Sequence, residues 1–150
     1  MLNIETFKTI VENTPLISID FVIRNKENKI LLGKRVNKPA CNFLFTLGGR
    51  VYKNEKLEDA KKRILKDEVG LYLENFNPIF LGVFEHFYED SFVNDNISTH
   101  YVNLAYEINV SYIQDLPKAQ HNSYSWLSLN ELLNSNEVHK YVKDYFKLGV

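Results

Sequence analysis

Residues 49–71 read GRVYKNEKLEDAKKRILKDEVGL, and they decide the fold because a glycine-containing loop leads directly into an amphipathic helix. Asn54 is a favourable N-cap with Glu55 behind it, and Gly70 suits the left-handed position at which helices end. The apolar residues that recur at three- and four-residue steps are Leu57, Ala60, Ile64 and Leu65. This spacing predicts one buried helical face.

Two carboxylates fall where the sequence pattern predicts burial. Glu68 lies one helical turn beyond Ile64, on or near the apolar face of the helix. Asp20 lies in an apolar run, between Ile19 and Phe21. Burying a carboxylate without a partner is costly, so we expect Asp20 to be paired and Glu68 to be paired or bound to a cation.

The composition indicates a globular protein. Its 150 residues are expected to form a single domain, 1–150, and 45% of them are hydrophobic. A formal net charge of −1 gives no electrostatic reason to bind long nucleic acid or an anionic membrane. The sequence shows no signal-peptide pattern and no run of about 20 apolar residues, which favours a cytoplasmic location without a membrane span. The single Cys41 cannot form an internal disulfide.

The chain reads as helices and strands in an order that does not alternate regularly. Helices are predicted at 4–13, at 54–69, after a capping box at Ser128 and Glu131, and from about residue 137. Strands are predicted at 16–24, 30–33, 43–47, 79–88, 100–110 and 124–127. This order favours an α+β fold, a sandwich built on a mixed sheet, over a regular βαβ alternation.

A basic segment precedes the glycine pair. Lys34, Arg35 and Lys38 fall within five residues, in a segment that we expect to follow the second strand as a loop. Arginine offers a planar fork of donors that matches phosphate oxygens, so this segment suits a ligand that carries phosphates. The alternative is an ordinary solvated loop.

Residues 49–71 resemble the Nudix box, G-x5-E-x7-R-E-U-x-E-E-x-G-U, where U is a bulky aliphatic residue. The positions that match in register are Gly49, Glu55, Arg63, Leu65, Glu68, Gly70 and Leu71, and Asp67 is a conservative substitute. The box glutamate is replaced by Ile64. The resemblance implies a Nudix-type α/β/α sandwich with a mixed β-sheet, and hydrolysis of a nucleoside diphosphate derivative with Mg²⁺ or Mn²⁺. Losing one acid predicts fewer bound metal ions.

Further motifs extend the resemblance over nearly the whole chain, from Phe7 to Tyr145. They are LLGKRxNxPA from residue 31, GGRV from 48, EHFY from 85, THYV from 99 and QHxxYxWL from 120. Together they look like the GDP-mannose mannosyl hydrolase branch of the Nudix family, which also lacks the box glutamate. That branch implies a homodimer that releases GDP and free sugar by displacement at the anomeric carbon, with inversion.

The resemblance also implies roles for individual residues. Metal ligands would be Glu68, the carbonyl of Gly49 and the side chain of Gln120, and His121 would be the general base. Arg35 and Arg50 would neutralise the leaving diphosphate, Tyr101 would help to hold it, and Asp20 and His86 would face the sugar. For His86 and Tyr101, ordinary hydrogen bonding within the sheet is the alternative. Arg63 either approaches the phosphates or pairs with Glu55.

Three classes of function follow from these residues. The first is Mg²⁺-dependent hydrolysis of GDP-mannose or a related GDP-hexose at the anomeric carbon. The second is a conventional Nudix pyrophosphohydrolase that attacks phosphorus and needs more than one metal ion, held by Asp67 and Glu68. The third is a nucleotide-sugar sensor without catalysis. The expected ligand in each class is a small nucleotide sugar.

Overall fold

The computed structural model describes residues 2–111 and 121–147, which form a mixed β-sheet with helices on both faces. The helices are α1 (Ile4–Asn13), α2 (Leu57–Val69), α3 (Leu129–Asn134) and α4 (Lys140–Asp144), and a 3-10 turn spans Leu73–Asn75. The strands are β1 (Leu16–Arg24), β2 (Ile30–Arg35), β3 (Leu44–Phe45), β4 (Leu47–Arg50), β5 (Ile79–Tyr88), β6 (Thr99–Asn109) and β7 (His121–Leu127). The predicted α+β class with a mixed-sheet sandwich is confirmed.

Strand β1 organises the sheet because three strands pair with it. The main path runs β3-β2-β1-β6-β5, and only the β1–β6 pair within it is parallel. Strand β4 pairs with residues 18–21 in the middle of β1, whereas β2 meets β1 at Arg24 and Ile30 and then pairs with β7. Strands β1 and β2 therefore separate beyond their hairpin, and β3 and β4 lie in the space between them.

The sheet buries one apolar core on each face. Helix α2 covers the first core, to which β1 contributes alternate residues and the helix contributes Ala60, Ile64, Leu65 and Val69. The second core packs under α3 and α4, and its helical members include Leu132, Val142 and Tyr145. Alternating strand residues point to opposite faces, which is why β1 supplies Ile19, Phe21 and Ile23 to the first core and Val22 to the second.

Most predicted elements are present, and several boundaries needed correction. The predicted strand 30–33 continues to Arg35, so Lys34 and Arg35 lie in β2 and not in a loop. The predicted strand 43–47 is two short strands that belong to different pairings. Strand β7 begins at His121 instead of residue 124, because its first residues extend the pairing with β2. Helix α4 begins at Lys140, since the side chain of His139 caps it.

The start of α2 was predicted wrongly. Asn54 has a φ of 66° and is not the N-cap; Lys56 occupies that position without a side-chain cap bond. Glu55 accepts hydrogen bonds from Arg63 and from the backbone of Tyr52, which holds the loop in a turn before the helix begins. Leu57, at this late start, is 45% exposed and not part of the buried face. Gly70 ends the helix in the left-handed conformation, as predicted.

Strand β5 lies at one end of the main sheet path and carries exposed apolar side chains. Those more than half exposed are Ile79, Phe80, Val83 and Phe87. The homodimer implied by the resemblance stays a prediction. Among the described residues, no helix has the length and apolar character needed to cross a membrane.

Candidate active site

Asp20 is the buried acid at the centre of the candidate site. It is 6% exposed, and its Oδ2 accepts hydrogen bonds from the Thr46 hydroxyl at 3.0 Å and from the Tyr145 hydroxyl. The expected partner of this carboxylate is therefore present. Gly48 lies directly opposite in β4, where a Cβ atom would be 2.2 Å from Asp20 Oδ1 and 2.3 Å from the Ile19 carbonyl oxygen. Only glycine allows β4 to pass so close to Asp20.

A cavity of about 180 Å³ brings together six of the predicted site residues. They are Asp20, Arg35, Gly49, Arg50, His86 and Tyr101. They come from five strands: β1, β2, β4, β5 and β6. Residues far apart in the chain therefore meet because the strands that carry them are neighbours in one sheet.

Strand register explains how these side chains reach one face. In the β5–β6 pair His86 lies opposite Tyr101, and in the parallel β1–β6 pair Ser18 lies opposite Asn103. Residues two apart in a strand share a face, which places Tyr101 and Asn103 together and Ser18 and Asp20 together. The polar residues on this face of the sheet thus line one continuous wall.

Two guanidinium groups make the cavity suitable for an anion. Arg35 is half-buried and its Nε donates to the Pro39 carbonyl at 2.9 Å. The Arg50 guanidinium lies 5.0 Å from the ring centres of both Phe7 and Tyr52. These contacts restrain the two side chains and leave guanidinium donors for a ligand with phosphate groups.

Tyr101 and His86 are uncharged hydrogen-bonding groups on the cavity wall. Burial raises the pKa of Tyr101, although Arg35 and Arg50 oppose this change, so the hydroxyl keeps its proton at neutral pH. Burial lowers the pKa of His86, although Asp20 opposes this change. The His86 ring stacks on Tyr141, with 4.5 Å between ring centres and 6° between planes. Both side chains can therefore bind hydroxyl or phosphate oxygens.

Glu68 is half-buried beside the cavity charges. Burial raises its pKa to about 7, Asp67 and Asp20 act in the same direction, and Arg35 opposes them. The parts of the chain described here, 2–111 and 121–147, contain no group of three or more His, Cys, Asp or Glu residues that could hold a metal. A single carboxylate oxygen still fits Mg²⁺, which commonly uses one or two protein carboxylates and completes its shell with phosphates and water.

Ile64, the residue that replaces a box glutamate, belongs to the core. It is 1% exposed, and a Cβ atom on Gly49 would lie 3.1 Å from its Cγ1. Asp67 is exposed on α2. Of these three positions, Glu68 is the half-buried carboxylate whose pKa responds to the cavity residues Arg35 and Asp20.

Arg63 pairs with Glu55, which decides between the two roles expected for it. Its Nε and Nη2 donate to the two carboxylate oxygens of Glu55 at 2.8 and 2.9 Å, and Nη2 also donates to the Arg50 carbonyl at 2.8 Å. This pairing lowers the pKa of Glu55. Arg63 thus ties the loop that carries Arg50 to α2, and it supports the site without lining the cavity.

Two predicted residues, Gln120 and His121, are adjacent in the sequence at the start of β7. Gln120 lies outside the described residues. His121 is the first residue of β7, and its backbone is in register with Arg35 of β2. Their predicted roles as metal ligand and general base stay predictions.

Sequence reasoning missed several polar residues around Asp20. Thr46, Asn103 and Ser18 line the cavity, and Tyr145 lies behind Asp20. A polar residue at every second position of an apolar strand was the available signal for Ser18 and Asn103. Tyr145 falls within the helix predicted from about residue 137, and nothing in its local sequence indicates its partner.

Comparison with known proteins identifies the family. A family model described as NUDIX domain matches residues 14–147. The low-salt glycan biosynthesis protein Agl8 of Haloferax volcanii is 43% identical over 104 residues, which cover 69% of this chain and 65% of that protein. The chain therefore belongs to the Nudix family. Nudix hydrolases generally use divalent metals such as Mg²⁺, and the role of Glu68 as a metal ligand stays a prediction.

Solved structures agree with this assignment at the level of the fold. A MutT NUDIX hydrolase from Burkholderia pseudomallei is 21% identical, covers 92% of this chain and 100% of its own, and has a TM-score of 0.73. The MutT protein from Methanosarcina mazei Go1 is 22% identical, with coverage of 90% and 93% and a TM-score of 0.70. Among the curated relatives, the match to Agl8 covers 65% of that protein, slightly less than two thirds of its length.

Proposed function

We propose that this protein hydrolyses GDP-mannose or a related GDP-hexose to GDP and free sugar, with water attacking the anomeric carbon and inverting it. The observation that carries the proposal is the cavity in which Asp20, His86, Arg35 and Arg50 meet. The proposal assigns the guanidinium groups of Arg35 and Arg50 to the diphosphate, and Asp20 and His86 to hydroxyl groups of the sugar. The name of the Haloferax relative, a glycan biosynthesis protein, is consistent with a nucleotide-sugar substrate.

The diphosphate leaves with the electron pair of the broken carbon–oxygen bond. Arg35 and Arg50 stabilise this developing negative charge, and the Tyr101 hydroxyl donates a further hydrogen bond. Such groups act strongly because they are already oriented: Arg35 is bound to Pro39, and Arg50 packs between two rings. A leaving group stabilised in this way needs no general acid.

The sugar binds between the acceptor and donor groups on the sheet face. Asp20 accepts a hydrogen bond from a sugar hydroxyl, and His86 binds a second one. Both side chains are buried. A sugar that lacks the matching hydroxyl would not form these hydrogen bonds, which is the physical basis for discrimination between hexoses.

The attacking water gives its proton to His121. A neutral imidazole accepts a proton near neutral pH and typically contributes about 10²–10⁴ in rate. The pairing of His121 with Arg35 in the β2–β7 register puts both residues at the same end of the sheet. The new carbon–oxygen bond forms on the face opposite the diphosphate, which gives inversion.

Glu68, the carbonyl of Gly49 and the side chain of Gln120 would hold Mg²⁺ or Mn²⁺. A divalent ion bound there would neutralise charge on the diphosphate. We expect a single metal ion, because the box glutamate is replaced by Ile64, an apolar side chain that lies in the core.

Isotope labelling tests the proposal. The protein is incubated with GDP-mannose and Mg²⁺ in ¹⁸O-labelled water, and the products are analysed by mass spectrometry. We expect the label in free mannose and none in GDP. Label in GMP or mannose 1-phosphate would show attack at phosphorus, the conventional Nudix reaction. Binding without turnover would indicate a sensor.

The same assay with His121→Ala tests the assignment of the base. We expect the same products at a rate about 10²–10⁴ lower, with little change in KM. Turnover close to that of the wild-type protein would remove His121 from the mechanism.

A further inference from the structure

Tyr145 connects the two residues that we assign to the sugar. It is the residue that follows α4, it is 3% exposed, and its hydroxyl lies behind the cavity wall. The hydroxyl is hydrogen bonded to Asp20 Oδ2, lies 3.0 Å from Asn103 Oδ1 and lies 3.4 Å from His86 Nε2. One hydroxyl from the end of the chain thus contacts both groups.

The direction of the hydrogen bonds follows from counting protons. A phenol carries one hydrogen, and the Asp20 carboxylate is a stronger acceptor than a neutral amide oxygen. Burial and the nearby Asp20 raise the pKa of Tyr145 well above its usual value, so the hydroxyl keeps its hydrogen. The hydroxyl therefore donates to Asp20, and its oxygen is left to accept hydrogen bonds.

The other partners can fill those acceptor positions. The amide of Asn103 lies between Tyr145 and the Ser18 hydroxyl, 2.7 Å from the latter. Turning that amide by 180° lets its nitrogen donate to Tyr145 and lets its oxygen accept from Ser18, without moving any residue. His86 can donate from Nε2 to the Tyr145 oxygen when its ring is the tautomer with hydrogen on that nitrogen.

Asp20 is then held with one oxygen toward the protein and one toward the cavity. Both hydrogen bonds from Thr46 and Tyr145 end on Oδ2, whereas Oδ1 lies on the side of Gly48, which lines the cavity. We propose that Tyr145 is a positioning residue for sugar recognition: its hydroxyl directs Asp20 Oδ1 into the cavity and sets the tautomer of His86. This inference rests on the proposed function, because it assigns Asp20 and His86 to the sugar.

Tyr145→Phe removes the hydroxyl and keeps the ring, so it tests this role directly. We expect kcat/KM for GDP-mannose to fall about 10- to 100-fold, because a hydrogen bond to a buried charged group is lost. GDP has no sugar, and its inhibition constant should change by no more than about twofold. A general structural defect would weaken both.

Tyr141→Phe is the matched control in α4. The Tyr141 hydroxyl is also hydrogen bonded, to the backbone of Phe87, but it does not contact Asp20. This variant should keep kcat/KM for GDP-mannose within about twofold of the wild-type value. The proposal is overturned if Tyr145→Phe behaves like the control, or if it weakens GDP inhibition as much as it lowers kcat/KM.

A spectroscopic measurement separates this inference from the proposed function. The ¹⁵N chemical shifts of His86 in the ligand-free protein report which ring nitrogen carries hydrogen. We expect hydrogen on Nε2 in the wild-type protein and a mixture of tautomers in Tyr145→Phe. If GDP-mannose is not hydrolysed but the shifts change in this way, the proposed function fails and the positioning role of Tyr145 stands. Identical shifts in the two proteins would overturn the positioning role.

Discussion

Ile64 shows how one side chain changes what a helix can do. The positions around Ile64 match the Nudix box, whereas Ile64 itself is apolar. It packs against Gly49 and is almost fully buried. Glu68, one turn later, is close enough to Arg35 and Asp20 for their charges to influence its pKa. The apolar side chain at position 64 stabilises the contact between α2 and β4. It also removes a carboxylate that a second metal ion would need.

Replacing Ile64 with glutamate should therefore destabilise the protein. A carboxylate at this core position has no partner, and we expect the free energy of unfolding to fall by on the order of 3 kcal/mol. Thermal denaturation without metal measures the change, which corresponds to several degrees for a domain of this size. Ile64→Met, which keeps an apolar side chain of similar volume, is the control and should cost less than about 1.5 kcal/mol. Equal melting temperatures for Ile64→Glu and Ile64→Met would show that the glutamate escapes the core.

Predictions about single residues were confirmed where they depended on the chemistry of the side chain itself. Asp20 was predicted to need a partner, and it has two. Which residues supply those hydrogen bonds was not predictable, because Thr46 and Tyr145 are 26 and 125 residues away along the chain. The short distance between Gly48 and Asp20 is likewise a property of the β1–β4 pairing.

At the scale of elements, α4 depends on a buried histidine. The Nδ1 atom of His139 accepts a hydrogen bond from the backbone of Tyr141 at 3.1 Å and so caps the helix. Its ring contacts Phe43 and Phe45. Burial lowers the pKa of His139 to about 4, interactions with His86, Lys140 and Arg35 act in the same direction, and Asp144 opposes them.

This pKa predicts the acid sensitivity of the fold. Between pH 6.5 and about 4 the unfolded chain binds a proton at His139 that the folded protein does not, so the free energy of unfolding falls as pH falls through that window. His139→Asn keeps a capping acceptor and removes the titration. From pH 7 to 4.5 the variant should lose about 2 kcal/mol less stability than the wild-type protein. Urea denaturation at the two pH values measures this, and parallel losses would contradict it.

At the scale of the whole molecule, the site exists only when five strands are assembled. The predicted site residues that line the cavity come from β2, β1, β6 and β5 of the main sheet path and from β4. A ligand that bridges them binds the folded protein and not the unfolded chain. Its binding energy therefore adds to the stability of the entire domain.

GDP with Mg²⁺ should accordingly raise the melting temperature. At a concentration about 100 times the dissociation constant, the gain is about 2.7 kcal/mol, or roughly 5–10 °C for a domain of this size. Removing the metal with EDTA should reduce the shift. Arg35→Met should abolish most of it, whereas Arg24→Met, which breaks the pair with Glu107 outside the cavity, should lower the baseline and keep the shift. An equal shift in both variants would exclude Arg35 from diphosphate binding.

The sequence by itself determined the local features of this protein. The spacing of apolar residues and the end at Gly70 defined most of α2, alternation defined the long strands, and the matched motifs indicated the site residues. Only the tertiary structure decided the parallel pairing of β1 with β6, the pairing of Arg63 with Glu55 and the contact of Tyr145 with Asp20. Local patterns reflect interactions between neighbours in the chain, whereas these contacts depend on how distant elements pack together.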